Sequence, residues 1–224
     1  MQNPLRYYFF DPYVIKIGLE GGVWEPTPHG LALAEGMVAA REAICHQTVL
    51  ELGAGCGIHA ILAAKIGAAA VDITEINQSY LDNAAANGAL NGISYRQALV
   101  RDWSHFSVAE GYDLLLCNPP FCKSGKPIRR HFIHQLLQDT PKLVRSGGKL
   151  LFVQSSMADF RLTEQQLQDL GMSYRVVLQK RGVFRDYYFT EPNFMEESAT
   201  VANGYELIDG CYIETLRVYL ATLP

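Results

Sequence analysis

No stretch of 18 or more apolar residues occurs in this chain, so the sequence offers no membrane-spanning helix. Its five cysteines (Cys45, Cys56, Cys117, Cys122 and Cys211) include no C-x-x-C pair, and the odd count argues against a disulfide framework or a structural zinc. No metal is expected, and a reducing, cytoplasmic setting fits. The start, MQNPLRYYFFDPY, has no basic segment leading into an apolar stretch and a small-residue cleavage site, which predicts a chain that is not secreted. Positive charge is scarce: 19 Lys and Arg against 23 Asp and Glu give a net charge of −4, without global attraction to nucleic acid. KSGKPIRRH (123–131) is a local basic exception. Internal repeats and low-complexity segments are absent. A chain of 224 residues has room for one well-buried core, so a single domain over 1–224 is expected.

What is present from residue 48 onward is an alternation of short β-rich runs with helical periods, the pattern of an α/β domain with a mainly parallel sheet. TVLEL (48–52), AAVDIT (69–74), YRQALV (95–100), YDLLLC (112–117), KLLFVQ (149–154), SYRVVLQK (173–180) and TLRVYLATL (215–223) read as seven strands. Between them IHAILAAKIG, closed by Gly67, and NQSYLDNAAANGALNG read as helices, as do HFIHQLLQDTPKLVRSGG, with a kink at Pro141, and RLTEQQLQDLG. Two aromatic-rich regions stand outside the alternation. Residues 1–36 contain Thr27-Pro28, good helix-start chemistry, and residues 181–213 form a long insertion before the last strand. Both are expected to cover a substrate.

ELGAGCG puts Gly53, Gly55 and Gly57 at the end of the first of these strands, where open α/β sheets bind ligands. A dinucleotide fingerprint would need glycine three residues after Gly55, and that position is Ile58, so pyrophosphate is not the favoured guest. Glycines at alternate positions let the backbone approach an uncharged adenosine. Glu51 faces either a ligand's ammonium group or the amides of the loop. Glu75, 22 residues beyond Gly53, suits both hydroxyls of a ribose; Asp102 offers an acceptor for an adenine amino group or caps a turn, and Trp103 adds an aromatic wall. Asp72 reads as structural or solvent-facing. Single histidines are rarely catalytic, although His29 and His131 fall near the edges of the expected site.

VLELGAGCG, Glu75, RDW and the NPPF of residues 118–121 together resemble the class I S-adenosylmethionine-dependent methyltransferases over roughly residues 20–224. The Asn-Pro-Pro-aromatic branch is the nearest in pattern; it includes the glutamine methyltransferases of protein release factors, ribosomal RNA guanine methyltransferases and tRNA adenine methyltransferases. GVWEPTPHGLALAEGM is similar to the segment ahead of the cofactor strand in the release-factor enzymes, but has Pro28-His29 where an acidic residue and threonine are usual. VW, LELGAGCG and DW are also similar to the seven-strand protein lysine methyltransferases, which normally lack the Pro-Pro corner. The resemblance implies a seven-stranded, mostly parallel Rossmann-like sheet with an antiparallel last strand and helices on both faces. It also implies S-adenosyl-L-methionine as cofactor, held by Glu51, Gly53, Gly55, Gly57, Glu75, Asp102, Trp103 and Asn118.

The corner then has a chemical purpose. A conjugated exocyclic nitrogen is a poor nucleophile, because its lone pair is delocalised. Two acceptors aimed at its N–H groups, the Asn118 side-chain carbonyl and the Pro119 backbone carbonyl, draw it toward tetrahedral geometry. Consecutive prolines hold both acceptors in place before the substrate arrives. Phe121 is expected to stack on the planar group, worth about 1–3 kcal/mol for a base. Three acceptors stay open: RNA, with Lys123, Lys126, Arg129 and Arg130 on its phosphates; a protein side chain; or a small metabolite, with Trp24, Tyr187 and Tyr188 lining its pocket. A non-catalytic cofactor-binding protein is the weakest reading, and self-association as a homodimer is left open.

Overall fold

The structure, a computed structural model, describes residues 4–20, 22–102, 107–121 and 128–224. It opens with a hairpin of β1 (Arg6–Phe10) and β2 (Tyr13–Ile17), followed by α1 (Pro28–Ala39). Then come β3 (Thr48–Leu52), α2 (Ile58–Ile66), β4 (Ala70–Glu75), α3 (Gln78–Leu90), β5 (Gln97–Val100) and β6 (Tyr112–Cys117). After the corner follow α4 (His131–Leu143), β7 (Val144–Ser155), α5 (Phe160–Asp169), β8 (Ser173–Val183), α6 (Phe194–Ala199), β9 (Glu206–Ile208) and β10 (Cys211–Thr222). The main sheet runs β5-β4-β3-β6-β7-β10-β8, with the short β9 added to β10. β5, β4, β3, β6 and β7 are parallel, and β10 lies antiparallel between β7 and β8. The order reverses between β4 and β6, on either side of β3, where a parallel sheet leaves a crevice at its carboxyl edge.

Local chemistry explains most boundaries. Thr27 caps α1 by accepting from the Gly30 amide at 3.3 Å, with Pro28 as first helical residue. α2 ends at Gly67, whose φ of +110° needs glycine. Pro141 lies inside the last turn of α4, which ends at Leu143: Val144 is already extended, and residues 144–148, expected to close the helix, belong to β7. β9 was not expected, since three residues are too few for alternation to show.

Helices cover both faces. On one side α1, α2 and the hairpin bury Ile15, Ile17, Leu33, Met37, Ile61 and Val218. On the other, α4, α5 and the insertion bury Leu136, Phe152, Tyr188, Phe194 and Tyr219. Residues 6–17, part of the segment expected to cover a substrate, are thus structural. Their alternation about Asp11-Pro12 is a two-strand pattern, and Phe10, Ile15 and Ile17 point into the core.

The free edge of β2 meets no strand. Instead α3 presents asparagines at a four-residue spacing along one face: Asn91 exchanges hydrogen bonds with both backbone groups of Lys16 (3.0 and 2.8 Å), and Asn87 does so with Gly18 (2.8 and 2.9 Å). Asn83 adds a bond to the Gly18 carbonyl at 3.1 Å. The three amides act as a strand's polar edge and satisfy β2.

α1 lies so close to β10 that a Cβ on Gly36 would come within 2.6 Å of Val218 Cγ1 and 2.9 Å of its Cβ. β10 is clamped between two strands and cannot retreat. Gly36→Ala should therefore lower stability by about 1–3 kcal/mol despite alanine's better helix propensity, read as a lower urea midpoint.

Candidate active site

A cleft of about 380 Å³ opens at the carboxyl edge of β3, β4 and β6. Glu75, Asp102 and Asn118 line it together with Gly53, Tyr80 and Pro120. Parallel register explains the gathering: Leu52 lies opposite Thr74 and Cys117, so the residues leaving these three strands emerge side by side.

Glu75 anchors the floor. Its Oε1 accepts from the Gly55 amide at 2.9 Å and its Oε2 from the Ile76 amide at 2.8 Å. Each oxygen keeps a further lone pair for a ligand hydroxyl. Gly53 (φ +67°) and Gly55 (φ +56°) are both left-handed, and a Cβ at either position would meet no neighbour within 4 Å, so the side of the backbone that a Cβ would occupy is open. A carboxylate at the end of β4, an open glycine backbone and a polar opposite wall fit a neutral adenosine with a ribose diol, and thus the cofactor expected from the sequence. Trp103 lies outside the described residues.

Two expected cofactor residues face elsewhere. Glu51 is buried beneath the loop: its Oε2 accepts from the Ala60 amide at 2.8 Å and its Oε1 meets His59 Nδ1 at 2.9 Å. It therefore serves the amides of the loop rather than facing an ammonium group. His59 Nε2 reaches the Gly30 carbonyl at 2.8 Å, which can only accept, so that nitrogen carries a proton. Burial pushes the Glu51 carboxyl up. It also works against a charged His59, but the hydrogen bond and charge of Glu51 outweigh it and hold the imidazole pKa above its usual value. The pair shares its proton and ties α1 to the glycine loop. Gly57 (φ +81°) turns toward α3, where a Cβ would come within 3.0 Å of the Tyr95 hydroxyl and 3.2 Å of the Ala84 carbonyl. Its role is close packing.

The corner follows β6 directly. Asn118 is half-buried, Pro119 buried and Pro120 exposed. The start of α1 closes on Asn118: a Cβ on Gly30 would lie 3.4 Å from its Nδ2. Phe121 does not offer a free face as expected, being only 8% exposed. Its ring is met edge-on by His29 (5.9 Å), Tyr188 (6.3 Å) and Phe194 (6.1 Å), because the bend sends it inward under the insertion. His29 in turn is buried against Glu214 of β10, with Nε2 and Oε2 3.2 Å apart, and the Tyr188 hydroxyl donates to the other oxygen of Glu214 at 3.5 Å. Sequence reasoning noted His29 but missed Glu214; a carboxylate inside an otherwise apolar strand was the available signal.

The expected substrate residues are corrected further. Trp24 is 66% exposed on the surface and lines no wall of this cleft. Tyr188 is core, stacked on Phe194 at 4.3 Å, and Tyr187 packs against Tyr188 at 4.6 Å. Arg129 is buried, paired with Glu191 (2.7 Å) and Glu197 (3.1 Å) and lying over the Phe194 ring at 4.2 Å, so it is not free for a phosphate. Arg130 donates to Thr163 (3.2 Å) and Gln166 (3.3 Å), and burial lowers its pKa. Arg129 is drawn in because the insertion supplies carboxylates and a ring, and Arg130 because α5 supplies polar acceptors, neither of which the local sequence reveals. Lys123, Lys126 and Cys122 lie outside the described residues. Burial raises the Cys56 thiol to about 12 and Cys117 well above the ordinary range, as suits structural thiols. Asp72 is structural too, buried under Arg96 (2.6 Å) and the Tyr112 hydroxyl (2.7 Å).

Known proteins resemble this chain in sequence and in fold. A proposed protein N5-glutamine methyltransferase of Methanocaldococcus jannaschii is 26% identical over 181 residues, 72% of this chain and 87% of that protein. Among solved structures, the 16S ribosomal RNA N2-guanine methyltransferase RsmC of T. thermophilus, in complex with AdoMet and guanosine, superposes with a TM-score of 0.70 at 17% identity. That match covers 100% of this chain and 51% of the other, so this chain spans about half that protein's length. A proposed RNA methyltransferase of Pyrococcus horikoshii gives a TM-score of 0.61 at 18% identity, covering 88% of this chain and 85% of that one. The methyltransferase small domain profile matches residues 32–184. This chain therefore belongs to the methyltransferase small domain family and is an S-adenosylmethionine-dependent methyltransferase.

Proposed function

We propose that the enzyme methylates a side-chain amide nitrogen of a protein. The observation that carries this reading is the placement of Asn118, at the end of β6, on the wall of the same cleft as Glu75. When bound, the cofactor supplies an electrophilic methyl group on a sulfonium. Glu75, Gly53, Gly55 and Asp102 hold its adenosine part, and Asn118 and Pro119 hold the acceptor nitrogen through its two N–H groups. No strong base is needed, since the nitrogen becomes acidic only as it gains the methyl group, and its proton leaves to water. Most of the acceleration comes from alignment and a fixed set of dipoles.

A protein acceptor is favoured over RNA by the state of the arginines beside the corner. Arg129 is closed into two ion pairs and is not available to neutralise phosphate, and Arg130 spends hydrogen bonds on Thr163 and Gln166 of α5, so the two offer a polyanion less than their sequence suggests. The name of the archaeal relative points the same way. Incubating the enzyme with methyl-labelled cofactor and fractionated cell extract tests this: label in protein, stable as a side-chain N-methylamide, is expected, and label confined to RNA overturns it.

Glu75→Gln provides a check on the cofactor half. It replaces a charged acceptor by a neutral amide, and hydrogen bonds to charged groups are worth about 1.5–3 kcal/mol. The dissociation constant for S-adenosylmethionine, measured by calorimetry, should rise by about tenfold or more.

A further inference from the structure

A second concavity, of about 450 Å³, opens beyond β7. Its walls come from residues 128–130 ahead of α4, the turn after β7, the start of α5 and the end of α6. β6 and β7 are parallel neighbours with Cys117 opposite Phe152, so the corner and the turn after β7 leave the same sheet edge one strand apart, about 4.8 Å in a sheet. A polypeptide whose target nitrogen sits at Asn118 can reach this concavity a few residues along its length.

The chemistry of the wall identifies the occupant. Ile128, Met157, Ala158, Leu162 and Val201 make it mainly apolar, and Ile128 and Leu162 stay more than half exposed (52% and 53%). Ser198 is buried to 1% exposure, lines the concavity, and its Oγ has no hydrogen-bond partner among the described residues. Buried hydroxyls are nearly always satisfied, so this one points to a partner that arrives from outside. The carboxylates of Asp159 and Glu197 lie in the wall alongside Arg129 and Arg130, a balanced set that gives a polyanion no preference.

We propose that this concavity is a subsite for an apolar side chain of the acceptor polypeptide, a few residues from the methylated one, with Ser198 Oγ bonding to the peptide main chain. The proposal rests on the protein-amide reading above. It makes recognition depend on an apolar neighbour of the target as well as on the amide itself.

Acetylated heptapeptide amides with a central glutamine, one leucine two or three residues before or after it and glycine elsewhere are titrated into ¹⁵N-labelled enzyme, with the all-glycine glutamine heptapeptide as control. One leucine peptide should shift the backbone amides of Leu162, Ser198 and Val201, and the control should not. Leu162→Asp changes an exposed side chain, so the fold survives, and it should weaken that leucine peptide by about tenfold or more. Shifts absent at these residues, or equal with the control, overturn the subsite. If label from the cofactor enters extract protein while no peptide shifts these residues, the subsite alone fails. If label enters only RNA, the protein-amide reading fails and takes this occupant with it.

Discussion

Replacing Asn118 with alanine should lower the rate of methyl transfer by about 10²- to 10³-fold while leaving the affinity for S-adenosylmethionine unchanged. Asn118 lies on the cleft wall across from Glu75, half-buried, between the apolar end of β6 and two prolines, one buried and one exposed. Its side-chain carbonyl is one of two acceptors that localise the lone pair of the incoming nitrogen. Removing it leaves only the Pro119 carbonyl, which fixes one N–H and lets the nitrogen stay planar. The start of α1 covers the amide from the other side, so a truncated side chain cannot be replaced by a neighbour shifting in. Single-turnover transfer from labelled cofactor measures the chemical step, and calorimetry measures cofactor binding. Wild-type turnover in the alanine variant would remove this mechanism, whereas a loss confined to cofactor affinity would assign Asn118 to the cofactor alone.

The parallel core of the sheet and the cleft were legible in the sequence because their signals are local. Strand runs, the glycine triplet, Glu75 at its spacing and the Pro-Pro stop are each written within a few residues, and parallel register brings them together. What was hidden depends on partners far along the chain. Phe121 and Arg129 look like ligand-facing residues when read alone, but residues distant in sequence enclose them: His29 and Phe194 meet the Phe121 ring, and Glu191 and Glu197 pair with Arg129; Tyr188 is taken up by Phe194 within the insertion itself. The sequence leaves Glu51 two roles, and His59 and the Ala60 amide, both in the first turn of α2, decide between them. Aromatic richness in residues 184–194 was correctly seen as a sign of order, yet it serves packing on α4 and β10 rather than an open wall.

α3 carries the clearest case of a signal that could have been used. Asparagine is a poor residue for a helix interior, because its amide competes for backbone hydrogen bonds, so Asn83 and Asn87, four residues apart on the face that continues to the C-cap Asn91, need a reason. Asn87 is fully buried; its Oδ1 accepts from the Gly18 amide at 2.8 Å, and its Nδ2 donates to the carbonyls of Gly18 and Cys56, both at 2.9 Å. Asn87→Ala strands the buried Cys56 carbonyl, at about 1–3 kcal/mol, and takes its partner from the half-buried Gly18 amide, at about 0.5–1.5 kcal/mol. The Gly18 carbonyl keeps its bond from Asn83. A total loss of about 2–4 kcal/mol follows, which for a chain of this size is a fall in Tm of about 4–16 °C. Asn91→Ala makes the contrast: its two bonds to Lys16 lie at an exposed edge where water replaces them, and with one part-buried bond to the Asn87 carbonyl lost as well the change should be about 1 kcal/mol. Because Cys56 sits inside the glycine loop, the Asn87 variant should also bind S-adenosylmethionine more weakly at temperatures where it remains folded, whereas the Asn91 variant should bind normally. Equal melting temperatures for the two variants would mean that the asparagine face of α3 does not hold the hairpin, and that the loop is shaped by its glycines alone.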